Sequence, residues 1–213
     1  IVMFADRPWE MRAPMIEKGR ELHAKYHGTE PPTVMLTEFC VCGSNLAETM
    51  PPAAFRALMQ RFFHAATQVL VQHDAVVDKF VGDEVIGLFI PFLTGERHAE
   101  RAVAAGRGLL EATGHDTPTP WLPIGAGVNT GVAYVGTVGD GDLVDFTAMG
   151  DPVNVTARLA SAAGAGELLV SAAAMAAAGL TDEGLEHRSL TLKGKTESTE
   201  VVILHASSRQ AAA

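Results

Sequence analysis

The sequence predicts an α+β domain with a largely antiparallel sheet and helices on one face. Two observations carry this. Short apolar stretches with strand character alternate with longer stretches of helical period, in the order β-α-β-β-α-β. Between the strands stand Gly-Asp and Asn-Thr-Gly, residues that favour tight turns. Composition supplies the means: 47% of the 213 residues are hydrophobic and 19% charged, as in globular chains. A chain of this length buries roughly 70% of its unfolded surface without a disulfide or metal staple.

Each element follows in turn. Residues 1–32 are charged, lack strand-like runs and end in Glu30-Pro31-Pro32, which reads as a linker. Within them Met15, Leu22 and Tyr26 recur at i, i+7 and i+11, so a helix over 15–27 would carry an apolar stripe needing cover from the main domain or a partner subunit. The main domain runs over 33–206. It opens with a buried strand over 33–39. Pro51-Pro52 starts a helix to about residue 73, with Phe55, Leu58, Phe62, Ala66 and Val69 on one face. Strands over 76–80 and 84–90 turn at Gly82-Asp83, and a helix spans 96–112. A hairpin over 124–128 and 132–138 turns at Asn129-Thr130-Gly131. Asp151 caps a helix over 151–163, with Pro152 at its first position. A strand over 168–171 and an alanine-rich helix follow. The last hairpin joins 190–192 to 201–204 across Lys193-Gly194-Lys195, and 207–213 reads as a frayed tail.

Charge and cysteine usage exclude several classes. The net charge of −9 argues against a general binder of nucleic acid or anionic membrane, which needs Lys and Arg. No apolar run approaches the roughly 20 residues of a membrane span. Cys40 and Cys42 form a lone C-x-C pair, too little for a disulfide scaffold or a zinc site, and fit a reducing compartment. A cytoplasmic location is the expectation. The sequence opens at Ile1 and carries no signal peptide, so a processed or partial chain is expected.

Two segments could carry chemistry. In Val77-Asp78-Lys79-Phe80-Val81-Gly82-Asp83-Glu84, two strands present a carboxylate at a glycine turn, where it is either solvated or bound to a cation. In the second, a helix opening near Pro152 carries Asn154 and Arg158 at i and i+4 on one face, an arrangement suited to a phosphorylated ligand. Gly125, Gly127 and Gly131 look like a phosphate loop but fit a hairpin better, because no helix follows them directly. The eight histidines are scattered without ligand spacing. Met149 and Met175 read as packing residues.

DKFVGDEV at 78–85, GVNTGVAYVGTVG at 127–139, DFTAMGDPVNVTARL at 145–159 and LTLKGKTE at 190–197 occur in one order and spacing. Together they resemble the catalytic domain of class III nucleotidyl cyclases, over residues 33–205. The resemblance implies a ferredoxin-like, palm-related α+β fold. It implies a head-to-tail homodimer with sites at the interface, using two Mg²⁺ or Mn²⁺ per site to convert ATP to 3′,5′-cyclic AMP and pyrophosphate. Residue by residue, it places Asp83 on one metal-binding carboxylate, Lys79 and Thr147 on the adenine-recognising pair, and Asn154 on the ribose. Arg158 falls on the group that stabilises α-phosphate charge, and Lys193 on a contact to the terminal phosphates. The segment 36–44, LTEFCVCGS, departs from the family pattern. Alignment from the strand places Glu38 on the other metal-binding carboxylate, and Cys40 replaces the usual arginine. That departure keeps open an alternative, a cyclase-like domain that binds nucleotide or a partner without turnover.

Overall fold

The computed structural model describes residues 33–42, 50–140, 143–192 and 198–206. The expected helix over 15–27, its linker, the tail and Lys193 lie outside the described residues. Among the described residues eight strands form one sheet: β1 (Thr33–Cys42), β2 (Val76–Val81), β3 (Glu84–Phe89), β4 (Gly125–Asp140), β5 (Leu143–Met149), β6 (Leu168–Ser171), β7 (Glu186–Leu190) and β8 (Thr199–Leu204). Their order is β2-β3-β1-β4-β6-β8-β7, with β5 paired to β4. β4 and β6 run parallel and the other pairs antiparallel, so the α+β expectation holds.

Among the described residues five helices accompany the sheet: α1 (Pro52–Gln72), α2 (Pro91–Thr94), α3 (His98–Ala112), α4 (Asp151–Ala162) and α5 (Ala172–Ala178). Alternation along the strands divides the interior. Leu168, Val170, Val202 and Leu204 join α1, α3 and α5 in the main core, around Phe62, Leu70, Leu109 and Met175. Leu169, Val201 and Ile203 project the other way, onto Val155 and Leu159 of α4. The helices therefore cover both faces, where one covered face was expected. The 3.6-residue period shows that a helix has an apolar side, but not which side of the sheet takes it.

The expected hairpin at Asn129-Thr130-Gly131 is absent. β4 runs straight through these residues, with Asn129 opposite Glu38, Thr130 opposite Thr37 and Gly131 opposite Leu36 on β1. The chain turns later, after Asp140, into β5. The glycines serve clearance. A Cβ on Gly125 would stand 2.6 Å from the Ala163 carbonyl oxygen, one on Gly127 2.6 Å from the Ala160 nitrogen, and one on Gly131 2.6 Å from Pro152 Cγ. Helix α4 thus rests its backbone directly on β4.

Two boundaries shift. Gly150 caps α4 and Asp151 is its first residue, so the cap stands one position earlier than expected. The last hairpin pairs Leu190 with Thr199, so the strand precedes the expected 190–192, and Leu192 is buried in the core beneath α4.

Gly127→Ala is expected to cost about 2 kcal/mol or more in urea denaturation, because the clash is with helix backbone and cannot be relieved by rotamer change. Gly108→Ala in α3, whose Cβ would meet Val69 Cγ1 at an ordinary 3.4 Å, is expected to change stability by less than about 1 kcal/mol.

Candidate active site

The β2–β3 hairpin places the first group. Gly82 adopts φ +62°, the left-handed conformation that lets the chain reverse in two residues. Asp83 follows it, half-buried at the tip. Further back, the pairing of β2 with β3 slips between Val77 and Lys79, leaving Asp78 as the extra residue of a β-bulge. A bulge re-aims side chains. Here consecutive residues both reach β5: the Thr147 hydroxyl donates to Asp78 Oδ2 at 2.9 Å, and Lys79 Nζ lies 3.5 Å from Asp145 Oδ2 and 3.5 Å from Asp78 Oδ2.

This cluster is nearly dry at its centre. The Asp78 side chain is 4% exposed, and its second oxygen, Oδ1, is buried without a hydrogen-bond partner. Burial raises the Asp78 pKa from 3.8 to about 6, against the opposing pull of the Lys79 charge and the Thr147 hydrogen bond, with Asp145 adding a smaller upward push. Lys79 and Thr147 are thus brought together through Asp78. Asp78 and Asp145 were not singled out from the sequence. A weak signal for Asp78 was present, two consecutive charged residues inside the otherwise apolar strand Val76–Val81.

Helix α4 presents the second set. Asn154, exposed, and Arg158, half-buried, lie one turn apart on it. Its first turn is anchored by the Pro152 carbonyl, which accepts from Asn129 Nδ2 at 3.1 Å and from the Thr156 hydroxyl at 2.9 Å. Asn129, read as a turn residue from sequence, is instead a buried strut between β4 and α4.

The structure does not bring Glu38 to Asp83. On β1, Glu38 pairs with Leu88, whereas the pair beside the Asp83 turn is Cys42–Glu84, four residues farther along. At about 3.4 Å per residue the two positions are about 14 Å apart along the strands. The backbone register therefore does not set Glu38 beside the turn that carries Asp83. The strand sequence alone does not reveal register. The positions of β1 nearest the turn belong to Val41 and Cys42. Among the described residues, no three His, Cys, Asp or Glu side chains converge as a metal site.

No protein-family model matches the chain. Among solved structures it resembles the guanylyl cyclase Cya2 (TM-score 0.71, 24% identity, 81% of this chain and 92% of that one). It also resembles the adenylyl cyclase CyaB from P. aeruginosa (TM-score 0.69, 26% identity, 82% of this chain and 96% of that one). In sequence it is 32% identical to Adenylate cyclase 1 of Rhizobium meliloti (strain 1021) over 122 residues, 54% of this chain. These structural neighbours are catalytic domains of class III nucleotidyl cyclases, and the chain shares their fold. It is also 29% identical over 169 residues to an uncharacterized protein of Mycobacterium tuberculosis (strain ATCC 25618 / H37Rv). The cyclase domain spans 18% and 31% of the length of these two curated relatives.

The raised Asp78 pKa gives a signed pH dependence. The folded domain binds the Asp78 proton more tightly than the unfolded chain does. The cost of burying the ionised carboxylate is therefore absent below about pH 4, grows through pH 4 to 6 and is complete above. Asp78→Asn is expected to gain stability relative to the parent as pH rises from 4 to 7, by up to about 3 kcal/mol. Paired urea titrations at several pH values measure this. A constant difference between the two chains would show that Asp78 does not titrate in that range.

Proposed function

We propose that this domain binds ATP and converts it to 3′,5′-cyclic AMP and pyrophosphate, acting as a homodimer. The observation that carries this reading is the junction of Lys79 and Thr147 through Asp78. It sets an ammonium donor beside a hydroxyl, the pair that meets an adenine edge offering a ring-nitrogen acceptor and an amine donor. Guanine offers the reverse at the same place, a carbonyl acceptor where adenine has the amine.

The remaining roles follow from charge and position. Asn154 orients the ribose. The 3′-oxygen attacks the α-phosphorus in line; the new O–P bond forms as the bond to the bridging oxygen breaks, pyrophosphate leaves with that electron pair, and the 3′-hydroxyl proton passes to solvent. Negative charge gathers on the α-phosphoryl oxygens, where a half-buried guanidinium such as Arg158 acts more strongly than a solvated one. Lys193 is assigned to the terminal phosphates. Mg²⁺ or Mn²⁺ is the expected cofactor, and Asp83 offers the hard oxygen such ions prefer. A metal pair held jointly by Glu38 and Asp83 does not fit the register of β1 and β3. Exposed Phe80, Val81, Val132 and Met149, on β2, β4 and β5, supply apolar surface for a second copy to cover. Among the described residues no helix is long and apolar enough to cross a membrane.

The register of Glu38 favours a second reading, a domain that binds ATP without turning it over. Cyclic AMP production from ATP, with Mg²⁺ and separately with Mn²⁺, decides between them. Turnover is expected, and Arg158→Ala is expected to lower kcat about 100- to 1,000-fold while sedimentation still shows the dimer. An unchanged kcat would remove Arg158 from the chemistry. Glu38→Asp is expected to leave product formation within about threefold of the parent, since a mid-strand position remote from the turn carries no rate-determining contact. ATP binding without product would establish the second reading.

A further inference from the structure

The Thr147 hydroxyl has one proton and two lone pairs, and in isolation it could present either to a base. Its surroundings remove the choice. Asp78 Oδ2 lies 2.9 Å away, whereas among the described residues the other acceptor within reach of that proton, the Ala148 carbonyl, lies at 3.5 Å. A hydrogen bond to a carboxylate is about twice as strong as one to a neutral acceptor. Asp78 is fixed in turn by Lys79 at 3.5 Å on the same oxygen and by burial that leaves its side chain 4% exposed.

We propose that Asp78 is a positioning residue that sets selectivity for ATP over GTP: it holds the Thr147 hydroxyl proton, so that Thr147 offers only lone pairs to the base. The inference rests on the reading of Lys79 and Thr147 as the base-recognising pair. An adenine amine donates to those lone pairs. A guanine carbonyl meets them acceptor against acceptor, and the hydroxyl cannot turn to donate without surrendering its bond to a buried carboxylate. Asp78 does not touch the base, because both its oxygens are committed inward: Oδ2 to Thr147 and Lys79, and Oδ1 to the interior. At pH 8, above its pKa of about 6, Asp78 is ionised and can only accept.

Calorimetric titration of the full chain with ATP and with GTP at pH 8 tests this independently of turnover. The parent is expected to prefer ATP. Asp78→Ala is expected to lower the ratio of ATP to GTP affinity about tenfold, the worth of one hydrogen bond. Asp78→Leu, which fills the same space without an acceptor, gives the same readout should the alanine variant not fold. Asp78→Asn is expected to keep the ratio within about threefold, because the Lys79 ammonium draws the amide oxygen into the place of Oδ2. In a Thr147→Val background, Asp78→Ala is expected to change the ratio no further. An equal loss of affinity for both nucleotides, with the ratio kept, would reduce Asp78 to a structural role and overturn the proposal while leaving the cyclase reading intact. Failure of the parent to bind either nucleotide would overturn both.

Discussion

Helix α4 can lie on β4 only where β4 has no side chains. Gly125, Gly127 and Gly131 clear that track, and each would otherwise drive a Cβ to 2.6 Å from an atom of α4 or its C-terminal continuation. This contact controls much of the rest. It fixes the height of α4 above the sheet, and Asn129 locks its first turn through the Pro152 carbonyl. It thereby sets where Asn154 and Arg158 stand relative to β5, which enters the helix directly through Gly150. A strand that carried ordinary side chains at the three glycines would hold the helix farther off and move both groups with it.

The polar cluster between β2 and β5 works against stability. A carboxylate nine-tenths or more out of water, with one oxygen unpaired, is a cost that neither Lys79 nor Thr147 cancels, since its pKa stays above the ordinary value despite both. Such an arrangement survives in a marginally stable fold when it holds other groups in place. Here it fixes an ammonium and a hydroxyl side by side. Retaining the charge at Asp78 gives the hydroxyl a definite polarity, which a neutral, solvated partner would not.

Legibility followed the range of the forces. Helix α1 declared itself by Pro52 and by apolar residues at helical spacing, and the β2–β3 turn by Gly82, because both depend on neighbours in sequence. Where a residue had two physical uses, local reading chose wrongly. Asn129-Thr130-Gly131 has turn chemistry, but its glycine was answering to a helix that begins some twenty residues later. Glu38 was placed by aligning its strand with the family pattern, and the register of β1 against β3, a long-range property, put it four residues from the pair beside Asp83. Asp78 escaped notice because a charged residue within a strand is ordinarily solvated, and only the bulge turns it inward.

The sequence by itself determined the α+β class, the turn that carries Asp83, and the pairing of Asn154 with Arg158 on one helix face, since each is a matter of local conformation and spacing. It also contained, in the order of four segments, the resemblance to class III cyclases. Tertiary structure alone decided that helices cover both faces, that three glycines form a helix track, and that Asp78 reaches Thr147 across 69 residues of chain although β3, β1 and β4 stand between β2 and β5 in the sheet. The physical reason is that hydrogen bonds and close packing act over a few ångströms of space, and only the curvature and register of the assembled sheet determine which distant residues come within that reach.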